Sequence, residues 1–390
     1  MKNPLTYISL FSSAGVGCHG FKLNGFQCIA TNELLTKRLK IQAFNNKCKY
    51  DSGYISGSIT DKDVQNKLFS ELEFWREKHK IKEPDVIIAT PPCQGMSVAN
   101  HKKNNEKSRN SLVVESIKIT KKIQPKFFVF ENVRAFLTTE CTDTDGIDKP
   151  IGKAIKLNLA GDYNILSKTI NFKEYGSQSS RTRTLVIGVR KDIQNISPYD
   201  IFPKKQKAKT LRQLIGDLPS LNEMGEISED IFHSFRTYDL RMFPWIENLK
   251  EGQSAFENTE TERIPHRVID GKVVFNKSKN GDKYARWYWD KEGPCVHTRN
   301  DILSSQNTVH PSDNRVFSIR ELMRMMSIPN TFEWSSIKTE NPNFIYNNYL
   351  GVTHQKKMGR AFGTRFFVPK VTKRAQTNAS IPNAELKLAS

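Results

Sequence analysis

Cysteine, acidic residues and long apolar runs are all scarce in this chain of 390 residues. The six cysteines include no CxxC pair and no Cys/His cluster with zinc spacing, which argues against a disulfide framework and a metal site. No segment approaches the length of a membrane span, and the first stretch, MKNPLTYISLFSSAGVGC, lacks the apolar core of a signal peptide. We therefore expect a metal-free protein of the reducing cytoplasm, without a membrane partner.

The shortage of acidic residues leaves a strong positive excess. Lys and Arg total 60 against 41 Asp and Glu, for a formal net charge of +19. Such an excess favours a polyanionic partner, because each phosphate contact releases condensed counterions. A solvated basic surface would give the same composition, so charge alone does not establish nucleic-acid binding.

Short apolar runs alternate with helix-like stretches in the first half of the chain. The runs are YISLF (7–11), FQCIATNE (26–33), DVIIAT (85–90), KFFVFEN (126–132) and TLVIGVR (184–190). Leu35, Leu39 and Ala43 recur at helical spacing between the second and third runs. Continuous apolar strands separated by helices predict an α/β fold with a doubly wound parallel sheet covered on both faces.

The strand–helix rhythm is lost after about residue 190. The next hundred residues are polar, with a basic run, PKKQKAKTLR, and an aromatic cluster, KYARWYWD. A helical stretch, SIRELMRMM (318–326), follows. The sequence predicts a first domain over 1–190, a second over 191–295, a part returning to the first domain over 296–370, and a disordered tail over 371–390.

Cys93 follows two prolines at the end of a predicted buried strand, in the segment ATPPCQGMS (89–97). The carboxyl ends of parallel strands form the ligand crevice of such sheets, so a cysteine at this position is a candidate nucleophile. The alternative is a buried cysteine that packs as a small hydrophobic residue.

Glu131 and Asn132 end another apolar strand, FFVFENV (127–133). A carboxyl group beside an apolar strand end tends to have a raised pKa, and can then donate a hydrogen bond near neutral pH. A surface glutamate, or a helix N-cap region, is the ordinary alternative.

Arg181 and Arg183 precede the apolar strand TLVIGVR and share one face at strand spacing. Their guanidinium groups could present fixed donors to a base or a phosphate. Solvated arginines at the start of a surface strand would show the same spacing.

A strand, a turn of small residues and a helix follow one another in LFSSAGVGCHGF (10–21), and Glu33 ends the next predicted strand. This arrangement is typical of a nucleotide-type cofactor loop, with the carboxylate placed for ribose hydroxyls. The signal is weak alone, since Gly15, Val16 and Gly17 do not form GxGxxG.

Together and in this order, these segments resemble the DNA cytosine-5 methyltransferase family of bacterial restriction–modification systems, from Tyr7 to Phe362. The matches comprise Pro92-Cys93-Gln94 for its Pro-Cys-Gln, Glu131-Asn132-Val133 for its Glu-Asn-Val, Arg181 and Arg183 for its Arg-x-Arg, Phe11 and Gly15 for its cofactor loop, Glu33 for its ribose ligand, Arg109 and Leu112 for its fifth segment, and residues 310–332 for the helix after its recognition domain. Any one match is weak, but the ordered set is specific.

The resemblance implies a Rossmann-like methyltransferase that uses S-adenosylmethionine, in which Cys93 adds to C6 of a cytosine flipped out of duplex DNA. Glu131 would bond the ring N3 and the amine, Arg183 would support the base O2 and the carboxylate with Arg181 close by, and Gln94 and Ser97 would contact DNA. Phe11, Gly15, Glu33 and Leu112 would bind the cofactor, and residues 191–295 would recognise the target. The implied protein is a monomer with a cognate restriction endonuclease as its functional partner.

Several positions depart from the family pattern. Ser13 and Val16 replace glycines, Ser58 replaces an acidic residue expected at the adenine amine, Met96 replaces phenylalanine and Arg360 replaces asparagine, while Gln178 stands one position early. Two other functions remain open: a tRNA cytosine-5 methyltransferase on the same scaffold, and a catalytically silent DNA-binding relative. The stretch between the two similar halves favours DNA over tRNA, and the intact Cys93, Glu131 and Arg183 favour an enzyme.

Overall fold

The computed structural model describes residues 4–92, 110–226, 228–277, 281–297 and 299–334. Its strands, in chain order, are β1 (Thr6–Leu10), β2 (Gln27–Glu33), β3 (Tyr54–Ser56), β4 (Val86–Ala89), β5 (Phe127–Asn132), β6 (Glu140–Thr142), β7 (Asp148–Pro150), β8 (Tyr163–Asn171), β9 (Thr182–Arg190), β10 (His266–Ile269) and β11 (Lys272–Phe275). Cys93, Gln94, Met96, Ser97, Arg109 and Arg360 lie outside the described residues, as do the predicted tail and residues 335–370 of the predicted returning part.

The helices are, in the same order, α1 (His19–Leu23), α2 (Thr36–Phe44), α3 (Lys62–His79), α4 (Leu112–Ile123), α5 (Ile151–Leu159), α6 (Pro198–Ile201), α7 (Leu211–Ile215), α8 (Phe243–Ile246) and α9 (Ile319–Met325). Single-turn 3-10 helices cover Val16–Cys18, Asp51–Gly53, Phe136–Thr138, Phe172–Glu174, Leu240–Met242, Ala255–Glu257 and Thr261–Arg263. Within the described ranges, every helix falls short of the length and apolarity that a membrane span requires.

A seven-stranded sheet with the order β3-β2-β1-β4-β5-β9-β8 forms the centre of the fold. Strands β1 to β5 run parallel to one another. The chain winds outward from β1 to β3 and then returns to β4, so the strand order reverses between β1 and β4. This switch point is where open α/β sheets bind their ligands, at the carboxyl ends of the strands.

Both faces of the sheet are covered, which confirms the predicted doubly wound α/β fold. Successive residues of β5 alternate between two apolar clusters: Phe128 and Phe130 pack on one face, and Phe127 and Val129 on the other. This alternation follows from the two-residue period of a strand. The continuous apolar run KFFVFEN therefore indicates burial on both faces, as expected for a central strand.

The parallel orientation predicted for the apolar run TLVIGVR was wrong, because β9 runs antiparallel to both β5 and β8. Apolar composition reports that a strand is buried but not its direction. The short connection of residues 172–181 between β8 and β9 is too brief for the crossover that a parallel pair needs, so these strands form an antiparallel pair.

Two further apolar clusters lie in the later part of the chain. One joins Val16 to Phe317, Ile319 and Met323, and thus connects the turn after β1 to α9. The other surrounds Trp245 and includes Tyr284, Val309 and Val316. In the predicted aromatic cluster KYARWYWD, residues 284–286 are buried and residues 287–289 are half-buried. The run therefore contributes mainly to local cores.

Gly188 is opposite Phe128 in the β5–β9 pair, and a β-carbon there would lie 1.9 Å from the Phe128 ring. The ring cannot move aside cheaply, since it is fully buried and packs against Phe130 and Tyr163. We expect Gly188→Ala to lower the free energy of unfolding by about 1–3 kcal/mol in urea titrations, through overpacking. Gly161→Ala is the matched control, because nothing lies within 4 Å of its added methyl group. Equal stabilities for the two variants would contradict this packing argument.

Candidate active site

The ends of β4 and β5 are fastened to each other at the switch-point edge of the sheet. Ala89 pairs with Phe130, so the two strands finish side by side. The buried Asn132 side chain then donates through Nδ2 to the Pro91 carbonyl at 3.0 Å, and its Oδ1 accepts from the Val133 amide at 2.8 Å. The last described residues before position 93 are therefore held against the end of β5.

The segment after β4 also forms hydrogen bonds to the end of β1 and the residue that follows it. Thr90 donates through Oγ1 to the Phe11 carbonyl at 3.0 Å, and its amide donates to the Leu10 carbonyl at 3.3 Å. The segment Thr90–Pro92 thus lies between the turn after β1 and the end of β5. The predicted nucleophile loop and cofactor loop consequently share a support.

Glu131 lies beside Arg183 at this edge. The residue is 5% exposed, and Arg183 Nε is 2.9 Å from Glu131 Oε1. Because Glu131 faces Leu185 in the antiparallel pair, Arg183 is its diagonal neighbour on the adjacent strand. The ion pair therefore follows from the register of β5 and β9.

Burial raises the pKa of Glu131, although the positive charges of Arg183 and Arg181 oppose the shift. Desolvation penalises the charged carboxylate, and this penalty outweighs the attraction to the two guanidinium groups. The raised pKa predicted from the apolar strand is confirmed. Such a carboxyl group is poised to hold a proton and donate it in a hydrogen bond.

Arg181 is buried, not solvated, and it connects this site to a later part of the chain. Its Nη1 donates to the Val296 carbonyl at 2.9 Å. The backbone continues the connection, because the Ser180 amide donates to the Gly293 carbonyl and the Gly293 amide donates to the Gln178 carbonyl. Segment 293–296 therefore lies alongside 178–181, a contact that sequence reasoning missed.

Gly293 is required for this approach. A β-carbon there would lie 2.9 Å from both the Gln178 carbonyl and the Met325 side chain. Gln178, which stands one position earlier than the glutamine of the family pattern, also makes a contact here. Its Oε1 accepts a hydrogen bond from the Lys209 amide at 2.8 Å. Its departure from the family pattern coincides with a structural role at the junction of three segments.

The turn after β1 is tight and is supported by Glu33. Phe11 and Ser13 have positive φ values of 55° and 51°, and Gly15 has a φ of 81°. The Ser13 amide donates to Glu33 Oε2 at 2.8 Å, while Glu33 Oε1 accepts from the Leu35 amide and from Arg38. Oε2 accepts from the Ser13 amide alone among the described residues, and a carboxylate oxygen can accept a second hydrogen bond, for example from a ribose hydroxyl.

Gln42, which sequence reasoning missed, lies beneath this turn. Its Nε2 donates to the Ser13 carbonyl at 2.6 Å and to Ser12 Oγ at 2.8 Å, and its Oε1 accepts from Thr31 and Lys47. A β-carbon on Gly15 would lie 2.8 Å from Gln42 Cγ. The position therefore needs glycine both for its positive φ and for this close approach.

Three further positions, Val16, Ser58 and Leu112, bear on the predicted cofactor site. Val16 replaces a family glycine and is buried against Phe317 and Ile319. Ser58 bonds Thr60 through their hydroxyl oxygens at 2.7 Å. Leu112 begins α4 and is half-buried.

Within the described part of the chain, no group of three or more His, Cys, Asp or Glu side chains could hold a metal ion.

Comparisons with known proteins identify the family of this chain. The profile of the family described as C-5 cytosine-specific DNA methylase matches residues 5–352. Type II methyltransferase M1.HgaI of Avibacterium volantium is 30% identical over 90% of this chain and 95% of that relative. Type II methyltransferase M.DdeI of Desulfomicrobium norvegicum is 25% identical over 86% of this chain and 81% of the relative.

Two solved structures share the fold. A DNA modification methyltransferase encoded within an E. coli prophage has a TM-score of 0.60 and 18% identity, covering 96% of this chain and 98% of the other. The S. pombe Dnmt2 methyltransferase has a TM-score of 0.56 and 13% identity, covering 96% and 97%. Because the family profile matches nearly the whole chain, this chain belongs to the C-5 cytosine-specific DNA methylase family.

Proposed function

We propose that this enzyme transfers a methyl group from S-adenosylmethionine to C5 of a cytosine flipped out of a specific duplex DNA sequence. The proposal rests on the hydrogen-bonded contact between the carboxyl ends of β4 and β5. Asn132 holds Pro91, and Glu131 lies beside Arg183 on the next strand. A loop that leads to Cys93 and an acid with a raised pKa therefore meet at one edge of the sheet, as attack on a pyrimidine from two sides requires.

Cys93 is the proposed nucleophile. Cytosine C5 is a poor nucleophile until C6 carries an adduct, so a sulfur that bonds C6 is the first requirement of the reaction. The thiolate is the reactive form, and nearby cationic groups favour it. Once C5 has been methylated, a base removes the C5 proton, and the electron pair of that C–H bond expels the Cys93 thiolate from C6 and frees the enzyme.

Glu131, Arg181 and Arg183 would act at the opposite edge of the base. A protonated Glu131 can donate to the ring N3 as electrons move into the ring, and its second oxygen can accept from the exocyclic amine. Arg183, 2.9 Å from the Glu131 carboxyl, would support that group and the base O2. Arg181, held by the Val296 carbonyl, would add fixed positive charge nearby.

The cofactor loop fits a nucleoside-bearing donor. When bound, S-adenosylmethionine supplies an electrophilic methyl group. The tight turn of Phe11 to Gly15 brings main chain close to the switch point, and the Glu33 carboxylate offers acceptor capacity for ribose hydroxyls. Leu112, at the start of α4, would form part of the apolar wall.

The remaining assignments follow the same proposal. Residues 1–190 and 296–370 would form the catalytic domain, residues 191–295 would recognise the target, and Gln94 and Ser97 would contact DNA beside the flipped base. The enzyme would act as a cytoplasmic monomer that protects DNA from a cognate restriction endonuclease. The designation of two relatives as Type II methyltransferases supports the modification role.

A covalent adduct gives a direct test of Cys93. A duplex with 5-fluorocytosine at the target has no C5 proton to lose, so with S-adenosylmethionine it should remain bonded to the wild-type protein through denaturing electrophoresis. Mass spectrometry should place the adduct on Cys93, and Cys93→Ser should form none. Methyl transfer to unmodified duplex DNA should exceed transfer to tRNA. Full methylation by Cys93→Ser would refute the mechanism.

Glu131→Gln tests the proton on the carboxyl group. We expect a loss of methylation rate of roughly 100-fold or more, typical of a lost general acid. Since a raised pKa keeps Glu131 protonated beyond the ordinary range of glutamic acids, the wild-type rate should fall as pH rises through that pKa. The neutral amide cannot titrate, so this falling limb should be absent from the variant's single-turnover profile. An identical limb in both proteins would assign it to another group.

Asn132→Ala tests the hydrogen bond that joins the ends of β4 and β5. Without Nδ2 the Pro91 carbonyl loses its partner, and the loop that leads to Cys93 becomes less well positioned. We expect adduct formation to slow by roughly 10- to 100-fold, while calorimetric binding of S-adenosylmethionine is unchanged. Asn164→Ala, at an exposed position of β8, is the matched control. A parallel loss of cofactor binding in Asn132→Ala would indicate general disruption.

A further inference from the structure

Arg38 is a cationic side chain that lies beside the cofactor loop. It stands in the first turn of α2, and its Nη1 donates to Glu33 Oε1 at 3.0 Å. The side chain of Glu33 is 6% exposed, whereas that of Arg38 is 30% exposed. The guanidinium group therefore closes one side of a nearly buried carboxylate while part of it reaches the surface.

The turn between β2 and α2 sets this contact. Glu33 is the last residue of β2, and the Arg38 amide donates to the Leu35 carbonyl at 2.9 Å as α2 begins. Among the described residues, the Arg38 side chain hydrogen bonds only to Glu33. A cation in the first turn of a helix opposes the helix dipole, and a partly exposed ion pair adds little to stability. Helix formation and folding therefore do not account for Arg38.

The two oxygens of the Glu33 carboxylate have different partners. Oε1 accepts from the Leu35 amide at 3.2 Å and from Arg38, which uses both of its lone pairs. Oε2 accepts from the Ser13 amide at 2.8 Å and keeps capacity for a second donor. The last torsion of a glutamate side chain has a broad, two-fold energy profile, so hydrogen bonds decide how the carboxylate is turned. Arg38 and the Leu35 amide together fix that rotation.

The cofactor loop on the other side of the carboxylate has a separate support. Gln42 donates to the Ser13 carbonyl at 2.6 Å, and its Oε1 accepts from Lys47 Nζ at 2.9 Å. These bonds hold the turn without any contribution from Arg38. Removal of the Arg38 guanidinium would therefore release Glu33 Oε1 and leave the support of the turn in place.

We propose that Arg38 is a positioning residue for the ribose of the cofactor, an inference that rests on the proposed function and deepens it. By holding Oε1, Arg38 turns Oε2 toward the position from which ribose hydroxyls would donate. A hydrogen bond from a hydroxyl to a carboxylate depends on direction as well as distance. Arg38 therefore raises the preference of the site for nucleosides that carry ribose hydroxyls, and it does so through Glu33.

The test compares adenosine with 2′,3′-dideoxyadenosine, which has the same base but neither ribose hydroxyl. Each nucleoside competes with S-adenosylmethionine for the full chain in calorimetric titrations, and the ratio of the two dissociation constants is the readout. We expect the wild type to favour adenosine by roughly 10-fold or more, because the dideoxy compound leaves the Glu33 acceptor unpaired. Arg38→Met should lower this preference by roughly 3- to 10-fold, and Arg38→Lys, which keeps a donor, should restore part of it.

Two further variants isolate the route through the carboxylate. Glu33→Gln should remove most of the preference, and the addition of Arg38→Met to Glu33→Gln should lower it no further, because Arg38 acts only through that group. Arg76→Met is the matched control, since Arg76 forms a partly exposed ion pair with Glu73 on α3, and it should keep the wild-type ratio. The thermal unfolding midpoints of Arg38→Met and Arg76→Met should both lie close to that of the wild type.

The outcomes separate this inference from the proposed function. A wild type that neither binds S-adenosylmethionine nor methylates duplex DNA refutes the proposed function. A wild type that methylates DNA, while Arg38→Met keeps the full preference for adenosine, refutes the role of Arg38. Equal weakening of both nucleosides by Arg38→Met, equal binding of both by the wild type, or a further loss in the double variant also overturns the inference.

Discussion

The hydrogen bond from Asn132 to the Pro91 carbonyl is the contact on which the candidate active site depends. It joins the carboxyl ends of two parallel strands where no ladder hydrogen bond remains to hold them. Glu131, immediately before Asn132 on β5, forms an ion pair with Arg183 of β9. The same edge of the sheet therefore holds an acid, a cation and the start of the predicted nucleophile loop. Proximity of this kind accounts for a large share of catalytic rate in general.

The acid at this edge is tuned by competition between burial and charge. The burial of Glu131 disfavours its ionised form, whereas Arg183 and Arg181 favour it, and burial prevails. An exposed carboxylate would titrate too low to hold a proton near neutral pH. The guanidinium groups keep the group in place while the apolar strand sets its pKa, so orientation and acidity have separate structural causes.

Residues from the later part of the chain contact the candidate active site and the cofactor loop. The Val296 carbonyl accepts from Arg181, Gly293 pairs along Ser180, and Val16 of the cofactor loop packs against the residues around α9. These contacts also explain one departure from the family pattern, because Val16 supplies apolar packing that a glycine could not. Ser13 keeps the left-handed conformation that favours glycine, and nothing in the structure explains its side chain.

The sequence by itself determined the class of fold and the candidate residues. Apolar runs such as KFFVFEN report burial directly, and the ordered motifs around Cys93, Glu131, Arg181 and Arg183 are local in the chain. Only the tertiary structure decided the antiparallel direction of β9, the support of the cofactor loop by Gln42, and the approach of segment 293–296 to Arg181. These features depend on pairings between residues far apart in the chain, and composition and periodicity carry no information about which distant partners will meet.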